Sequence, residues 1–168
     1  TGWDTQDLNL GRRSCYNTGT IEHEFLHALG VWHQQSRSDR DEFVKINVES
    51  IIDGKSHTFD RYTPSLINHF NLPYDFESVM HYGGHFFGKK NANGRQKQTI
   101  QTLDPSKQSL LGQREGASEL DIQLVKEMYG CQATVGGESV VTSPNFPSNY
   151  DDNLRKTETI TVAEGLVL

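Results

Sequence analysis

The sequence is poor in the features that mark several large classes of protein. Its 168 residues include two cysteines and five prolines, and 22 acidic side chains outnumber 16 basic ones, for a net charge of −6. No apolar stretch approaches the roughly 18 residues of a membrane span. The lack of a long basic run argues against binding to nucleic acid or to an anionic membrane. Because 34% of the residues are hydrophobic, the chain can still bury the core of one ordinary domain, with a small remainder.

Two further absences concern processing. The sequence begins at Thr1, without methionine or a charged-then-apolar leader, so we expect it to be a piece of a longer protein. It contains no Asn-x-Ser/Thr acceptor, so we expect no N-linked glycan on this segment.

Histidine is the residue type that the sequence holds in excess. Three of the seven histidines fall within eleven residues, beginning with the segment His23-Glu24-Phe25-Leu26-His27. Residues four apart project from one face of a helix, one turn apart, so His23 and His27 could share one metal ion. Tetrahedral Zn²⁺ takes imidazole nitrogens at about 2.0–2.1 Å, and Glu24 lies where it could hold a metal-bound water. A surface helix with two chance histidines is the alternative interpretation of this short motif.

A third histidine and a downstream methionine extend the motif. Gly30 ends the helical pattern and lets the chain turn, so that His33 could bind the same ion. Downstream, Met80 lies in the segment SVMHY, and a methionine turn beneath a three-histidine zinc site is typical of the metzincins. These two additions argue strongly against the chance interpretation.

The first of two expected helices carries the histidine motif. It spans residues 21–29, with Thr20 as its N-cap. Glu22 and Glu24 would lie in its first turn, where the helix dipole favours acids, and Gly30 would end it.

The second expected helix lies near residue 120. It begins after Ser118, with Asp121 as an imperfect capping-box partner, and ends at Gly130. Its apolar side chains fall on one stripe: Leu120, Leu124, Val125 and Met128.

Shorter elements are expected between these helices. Residues 44–48 alternate as in a strand or an extended segment, and residues 49–59 suggest a short helix. Asn93-Gly94 is a hairpin-turn signal. Together these patterns predict an α+β chain with a boundary near residues 131–136, beyond which turns and strands dominate.

Longer stretches carry a specific resemblance. The segment HEFLHALGVWHQQSRSDRD, with PYDFESVMHY and GQREGASELDI downstream, resembles the astacin family of zinc endopeptidases, a branch of the metzincins. The resemblance runs from the first residues to Cys131. It implies a zincin-like metzincin catalytic domain over residues 1–131, present as its C-terminal part and lacking most of the N-terminal sheet.

The same resemblance assigns roles at the site. The zinc ligands and the methionine of the Met-turn would be His23, His27, His33 and Met80. Glu24 would be the general base that takes a proton from the zinc-activated water. Tyr82 would be the mobile tyrosine that ligates zinc at rest and swings to the transition state.

Residues after the third histidine are expected to support the site. Arg37, Asp39 and Asp41 are assigned to ion pairs that hold the fold or the ligands, without a part in the chemistry. Gln34 stands where the family usually has a glutamate that contacts the new N-terminus after propeptide removal; a neutral side chain loses that charge-assisted bond. The remaining histidines lack ligand spacing and are expected to be non-catalytic: His57, His69, His81 and His85.

The cysteines and the tail point outside the catalytic region. By count alone, Cys15 and Cys131 could pair with each other; the resemblance instead implies a disulfide from each to residues outside this chain. Residues 132–168 resemble the first strands of a CUB β-sandwich, although Val135 and Lys156 stand near the positions of its first cysteine pair. A generic β-rich linker is the alternative for this tail.

The implied function is a secreted or extracellular endopeptidase with one Zn²⁺ per catalytic domain. It would hydrolyse internal peptide bonds of protein substrates, and the CUB-like part would mediate protein interactions. One alternative is a zinc-binding but inactive homologue that acts as an extracellular binding module. Another is a zinc hydrolase acting on small molecules or terminal residues, against which Met80 and Tyr82 argue.

Overall fold

The computed structural model describes residues 8, 10 and 17–131. Two α-helices and two β-strands lie in this part of the chain: α1 (Thr18–Ala28), β1 (Val44–Ile46), β2 (Ile100–Thr102) and α2 (Glu119–Tyr129). Short 3-10 helices connect them: Gln34–Ser36, Arg40–Glu42, Val48–Ser50, Ser56–Phe59 and Pro105–Leu110. No helix within these described residues is long and apolar enough to cross a membrane. Cys15 and the CUB-like segment 132–168 lie outside them.

Helix α1 begins one residue after Asn17, so the prediction of Thr20 as its N-cap is wrong. Asn17 has an extended backbone, and its side-chain oxygen accepts a hydrogen bond from the Thr20 N–H at 2.8 Å. Asparagine is one of the best residues for this position because its short side chain reaches the free N–H groups of the first turn. Glu22 and Glu24 therefore lie beyond the first turn. Gly30 follows the helix end with φ +90°, as predicted for a residue that reverses the chain.

Helix α2 has the ends that its sequence predicts. The Ser118 side chain accepts a hydrogen bond from the Asp121 N–H, and the Asp121 side chain accepts one from the Ser118 N–H, which makes a complete capping box. Gly130 ends the helix in the left-handed region, with φ +63°. Both ends are local features, and this explains why the sequence alone located them.

The short sheet is antiparallel and pairs distant parts of the chain. Val44 lies opposite Thr102 and Ile46 opposite Ile100. Val44 and Ile100 are buried in a first core with Ile51, Phe59 and Tyr74.

Two predictions for the middle of the chain need correction. The strand ends at Ile46, because Val48 already begins a 3-10 helix. The expected helix over 49–59 is instead two 3-10 segments, separated at Gly54, whose φ of +79° is incompatible with a continuous helix. The turn at Asn93-Gly94 is present, with φ +76° at Gly94, but it joins only an isolated bridge.

A second core connects the two helices. Its buried members are Leu26, Val31, Val79 and Met80. The apolar stripe of α2 packs against them through Leu124, Val125 and Met128. Val79 and Met80 are completely inaccessible to solvent, so the segment that contains them is held between α1 and α2.

Candidate metal centre

Three histidines converge at the end of α1. His23 and His27 lie one turn apart on the helix, and the reversal at Gly30 returns the chain so that His33 faces them. One ligand nitrogen from each lies within 4.8 Å of the other two. The Nε2 atoms of His27 and His33 are 3.1 Å apart. We searched the described part of the chain for groups of histidine, cysteine or acidic side chains that could hold a metal ion. These three histidines form such a group.

Hydrogen bonds orient two of the three rings. His23 Nδ1 donates to the Val79 carbonyl at 2.8 Å, and His27 Nδ1 donates to the Val31 carbonyl at 2.9 Å. Because a carbonyl oxygen can only accept, each Nδ1 carries the proton and each Nε2 keeps a free lone pair. A ligand histidine held by its other nitrogen is the usual arrangement at a metal site.

Burial favours the metal-binding form of two of the histidines, His23 and His33. It lowers the pKa of His23, and it lowers the pKa of His33 to about 3, with smaller contributions from neighbouring imidazoles and from Arg114. Neutral imidazole is the form that coordinates a cation. The cluster of three imidazole nitrogens therefore fits the ligand preference of Zn²⁺.

Two further predicted residues lie beside the histidines. Glu24 follows His23 on α1 and is partly buried. Burial lowers the pKa of His23 and of Arg114, and the negative charge of Glu24 partly opposes both shifts. The Tyr82 ring is centred 4.5 Å from the His33 ring. Burial raises the pKa of Tyr82, so its phenol keeps its proton at neutral pH and can donate a hydrogen bond.

The segment around Met80 lies beneath the centre and is held by α2. Asp121 accepts hydrogen bonds from Ser78 Oγ at 2.6 Å and from the Val79 N–H at 2.9 Å. The Val79 carbonyl in turn accepts from His23. Asp121 is thus connected to His23, a candidate ligand, through the backbone of Val79. The sequence showed Asp121 only as a helix cap, and nothing in its spacing indicated the contact to a segment 42 positions away.

The charged residues after His33 make contacts that hold loops together. Arg37 donates to Asp39 at 2.7 and 2.9 Å and to the carbonyls of Leu72 and Pro73, both at 3.0 Å. The hydrogen bond from Arg37 lowers the pKa of Asp39.

Asp41 is exposed and pairs with Arg40 and Arg61, each at 3.0 Å. The expected supporting role of Arg37, Asp39 and Asp41 remains a prediction.

The other four histidines are not part of the candidate metal-binding group. His57 and His85 are exposed, and His69 is partly buried. His81 is completely buried, and burial lowers its pKa to about 4. Its Nδ1 donates to the Tyr82 carbonyl at 2.7 Å, a contact that sequence spacing did not indicate.

Gln34 lies in the wall of a cavity behind the third histidine. The cavity has a volume of about 270 Å³ and is lined by apolar side chains that include Leu66, Phe70, Leu124 and Met128. Gln34 is buried, and its Nε2 has no hydrogen-bond partner among the described residues. Its predicted effect on contact with a processed N-terminus stays a prediction.

Cys131 follows α2, is exposed, and forms no disulfide with any residue that the structure describes. Since Cys15 lies outside the described residues, the predicted disulfides to residues beyond this chain are untested.

Comparison with known proteins gives consistent matches. The family model described as Astacin, a peptidase family, matches residues 1–130. The chain is 34% identical to Protein SpAN of Strongylocentrotus purpuratus, over 88% of this chain and 31% of that protein. It is 39% identical to Meprin A subunit beta of Homo sapiens, over 77% of this chain and 18% of that protein. The chain therefore spans less than a third of either of these curated relatives.

A solved structure matches as well. High choriolytic enzyme 1, a hatching enzyme zinc-protease from Oryzias latipes, aligns with a TM-score of 0.61 at 31% identity. The alignment covers 76% of this chain and 72% of that one.

Proposed function

We propose, from the premise that this chain belongs to the astacin family of metallopeptidases, that the protein is a zinc-dependent endopeptidase which hydrolyses internal peptide bonds of protein substrates. The observation that carries the proposal is the histidine cluster. His23, His27 and His33 present ring nitrogens within 4.8 Å of one another, and Glu24 follows His23 on α1.

The three histidines would hold the metal through the nitrogens that their backbone hydrogen bonds leave free. Zn²⁺ bound there would supply a Lewis acid that polarises the scissile carbonyl and lowers the pKa of a water to about 7. The fixed Nδ1 protons of His23 and His27 keep the ligand nitrogens oriented, so that little rearrangement is needed for binding.

Glu24 would act as the general base. Its carboxylate would take a proton from the attacking water and later give it to the leaving amine. Because Glu24 follows His23 on α1, its side chain would lie near the ion without being a ligand. A glutamate as base is matched to this task because the metal, rather than a strong base, lowers the pKa of the water.

Tyr82 would stabilise the transition state. Its neutral phenol, beside the His33 ring, could donate a hydrogen bond to the oxyanion that develops on the carbonyl oxygen. Met80 would form the apolar floor of the site, which is consistent with its complete burial between α1 and α2.

Wider features of the protein belong to the same proposal. Protein substrates follow from the peptidase family. An extracellular location, disulfides from Cys15 and Cys131, and a CUB-like module over residues 132–168 are proposed from the sequence resemblance. The domain boundary after Cys131 agrees with the end of the family match at residue 130.

The test uses the whole protein after removal of any propeptide. We expect about one zinc per chain and cleavage of a denatured protein substrate at internal bonds, mapped by mass spectrometry of the products. Zinc retention without cleavage of any peptide in a library would favour the inactive binding module. Release of single terminal residues would indicate a different zinc hydrolase.

A further inference from the structure

We propose that Gln35 and His81 are positioning residues that fix the main chain of Tyr82 and thereby set the place of its phenol beside the histidine cluster. The inference rests on the proposed function, because a fixed Tyr82 matters for catalysis only if the protein is a peptidase. Neither residue has ligand spacing, and both are completely buried.

Gln35 holds the nitrogen side of Tyr82. Its Oε1 accepts a hydrogen bond from the Tyr82 N–H at 3.1 Å, across 47 positions of sequence. Gln35 lies in the 3-10 helix that begins directly after His33, and its own carbonyl accepts from Arg40 at 3.0 Å. The segment that carries the third histidine is therefore tied to the main chain of Tyr82 by one buried amide.

His81 holds the carbonyl side. Its Nδ1 donates to the Tyr82 carbonyl at 2.7 Å. Because that carbonyl can only accept, Nδ1 carries the proton and Nε2 must be an acceptor. Tyr74 supplies the matching donor, with its hydroxyl 2.8 Å from His81 Nε2. Tyr74 is itself buried in the first core, so the His81 ring is held at both nitrogens.

The Tyr82 side chain is less enclosed than its main chain. The ring is partly exposed and lies against the rings of His33 at 4.5 Å, Phe86 at 5.4 Å and Phe59 at 5.8 Å. With both main-chain polar groups bonded to buried side chains, movement of the phenol reduces to rotation about side-chain bonds. The position of Cα then decides what the hydroxyl can contact, and a displacement near 1 Å can cost about 100-fold in rate.

A purely structural role is the competing explanation, since any buried hydrogen bond adds stability. A double-mutant cycle separates the two. Gln35→Met and His81→Leu remove the contacts to Tyr82, and Tyr74→Phe removes only the hydroxyl that holds His81. Each is made in the wild-type protein and in a Tyr82→Phe background, and kcat and KM are measured for the zinc-loaded whole protein. Thr102→Val is the matched control, because it removes a partly buried hydrogen bond to Gln108 outside this group.

We expect Gln35→Met and His81→Leu to lower kcat roughly tenfold with KM changed less than about twofold, and to have little effect once Tyr82 is phenylalanine. Tyr74→Phe should lower kcat about threefold. Because it removes only one hydroxyl, it keeps the test available if a larger substitution prevents folding. Thr102→Val should leave kcat unchanged in both backgrounds. Equal losses of kcat with and without the Tyr82 hydroxyl would overturn the proposal.

A crystal structure of zinc-loaded Gln35→Met gives a readout besides activity. The Tyr82 main chain should be displaced while the three histidines and the zinc content stay unchanged. An unmoved Tyr82 would contradict the proposal even if the wild type proved inactive. An inactive wild type with a displaced Tyr82 in the variant would instead refute the proposed function and leave the positioning role supported.

Discussion

The two sides of the histidine centre are built in different ways. α1 carries His23 and His27 by helical periodicity, and each ring is oriented by one backbone carbonyl. The segment 78–82 has no regular secondary structure and takes its shape from buried side chains far away in sequence. The positions of His23 and His27 therefore follow from local sequence spacing, whereas the shape of the segment 78–82 depends on tertiary contacts. Substitutions on the two sides should have different effects. Those of the histidines should remove the metal, and those that disturb the segment 78–82 should change the geometry of the site.

The largest effect should come from substitution of the three clustered histidines. Replacing His23, His27 or His33 by alanine removes one of three ligands, so we expect loss of stoichiometric zinc and of activity together. Metal analysis after dialysis, with His85→Ala as the exposed control outside the cluster, checks this. Retained stoichiometric zinc in any one of the three variants would remove that residue from the ligand set.

On the other side, Tyr82→Phe should leave the metal and change the rate. Because the proposed hydrogen bond forms only in the transition state, kcat should fall about 100-fold with KM nearly constant and zinc retained. Steady-state kinetics on one peptide substrate measures both constants. An unchanged kcat would return Tyr82 to a packing role.

Asp121→Asn tests the connection between the two sides. It weakens the bonds to Ser78 and the Val79 N–H, and so loosens the carbonyl that orients His23. We expect zinc affinity to fall about 10–100-fold, the range for lost support of a ligand. Ser118→Ala, which removes the helix cap, should lower stability by about 1 kcal/mol without that loss of affinity. Equal zinc affinities for the two variants would contradict the connection.

The last effect concerns stability alone, through pH and His81. Its pKa is about 4 in the folded protein and about 6.5 when unfolded, so the unfolded state binds more protons between these values. The stability is therefore complete above about pH 6.5 and decreases as pH falls towards 4, by at most about 3 kcal/mol. His81→Gln should remove this part of the acid dependence, as measured by denaturant unfolding of the metal-free protein from about pH 7 to about pH 4. An identical pH profile in the variant would contradict the assigned pKa.

The same contrast explains what could be predicted from the sequence. The metallopeptidase family and a metzincin-like fold were predicted and are confirmed by the comparisons. Both ends of α2 and the stop at Gly30 were found because caps and left-handed glycines are local signals. The start of α1 was missed because Asn17, Thr18 and Thr20 are all acceptable caps, and only the folded backbone selects Asn17.

Tertiary contacts account for the rest. Gln35 and Asp121 contact the segment 78–82 from 47 and 42 positions away, and His81 was expected to be non-catalytic because it lacked ligand spacing. The periodicity of the sequence does not indicate such contacts, because they depend on how α2 and the loop after His33 pack around Val79 and Met80. The candidate ligands could therefore be predicted from the sequence, whereas the residues that contact the segment beside them could not.

The central claim is that zinc binding resides on the three histidines and proton transfer on Glu24, and Glu24→Gln tests it most directly. The variant keeps the size of the side chain and all three histidines, and it removes the carboxylate. In the whole processed protein, we predict about one zinc per chain and a fall in kcat of roughly 10²–10⁴-fold. Full activity in this variant would contradict Glu24 as the base, and loss of zinc would contradict the separation of the two roles.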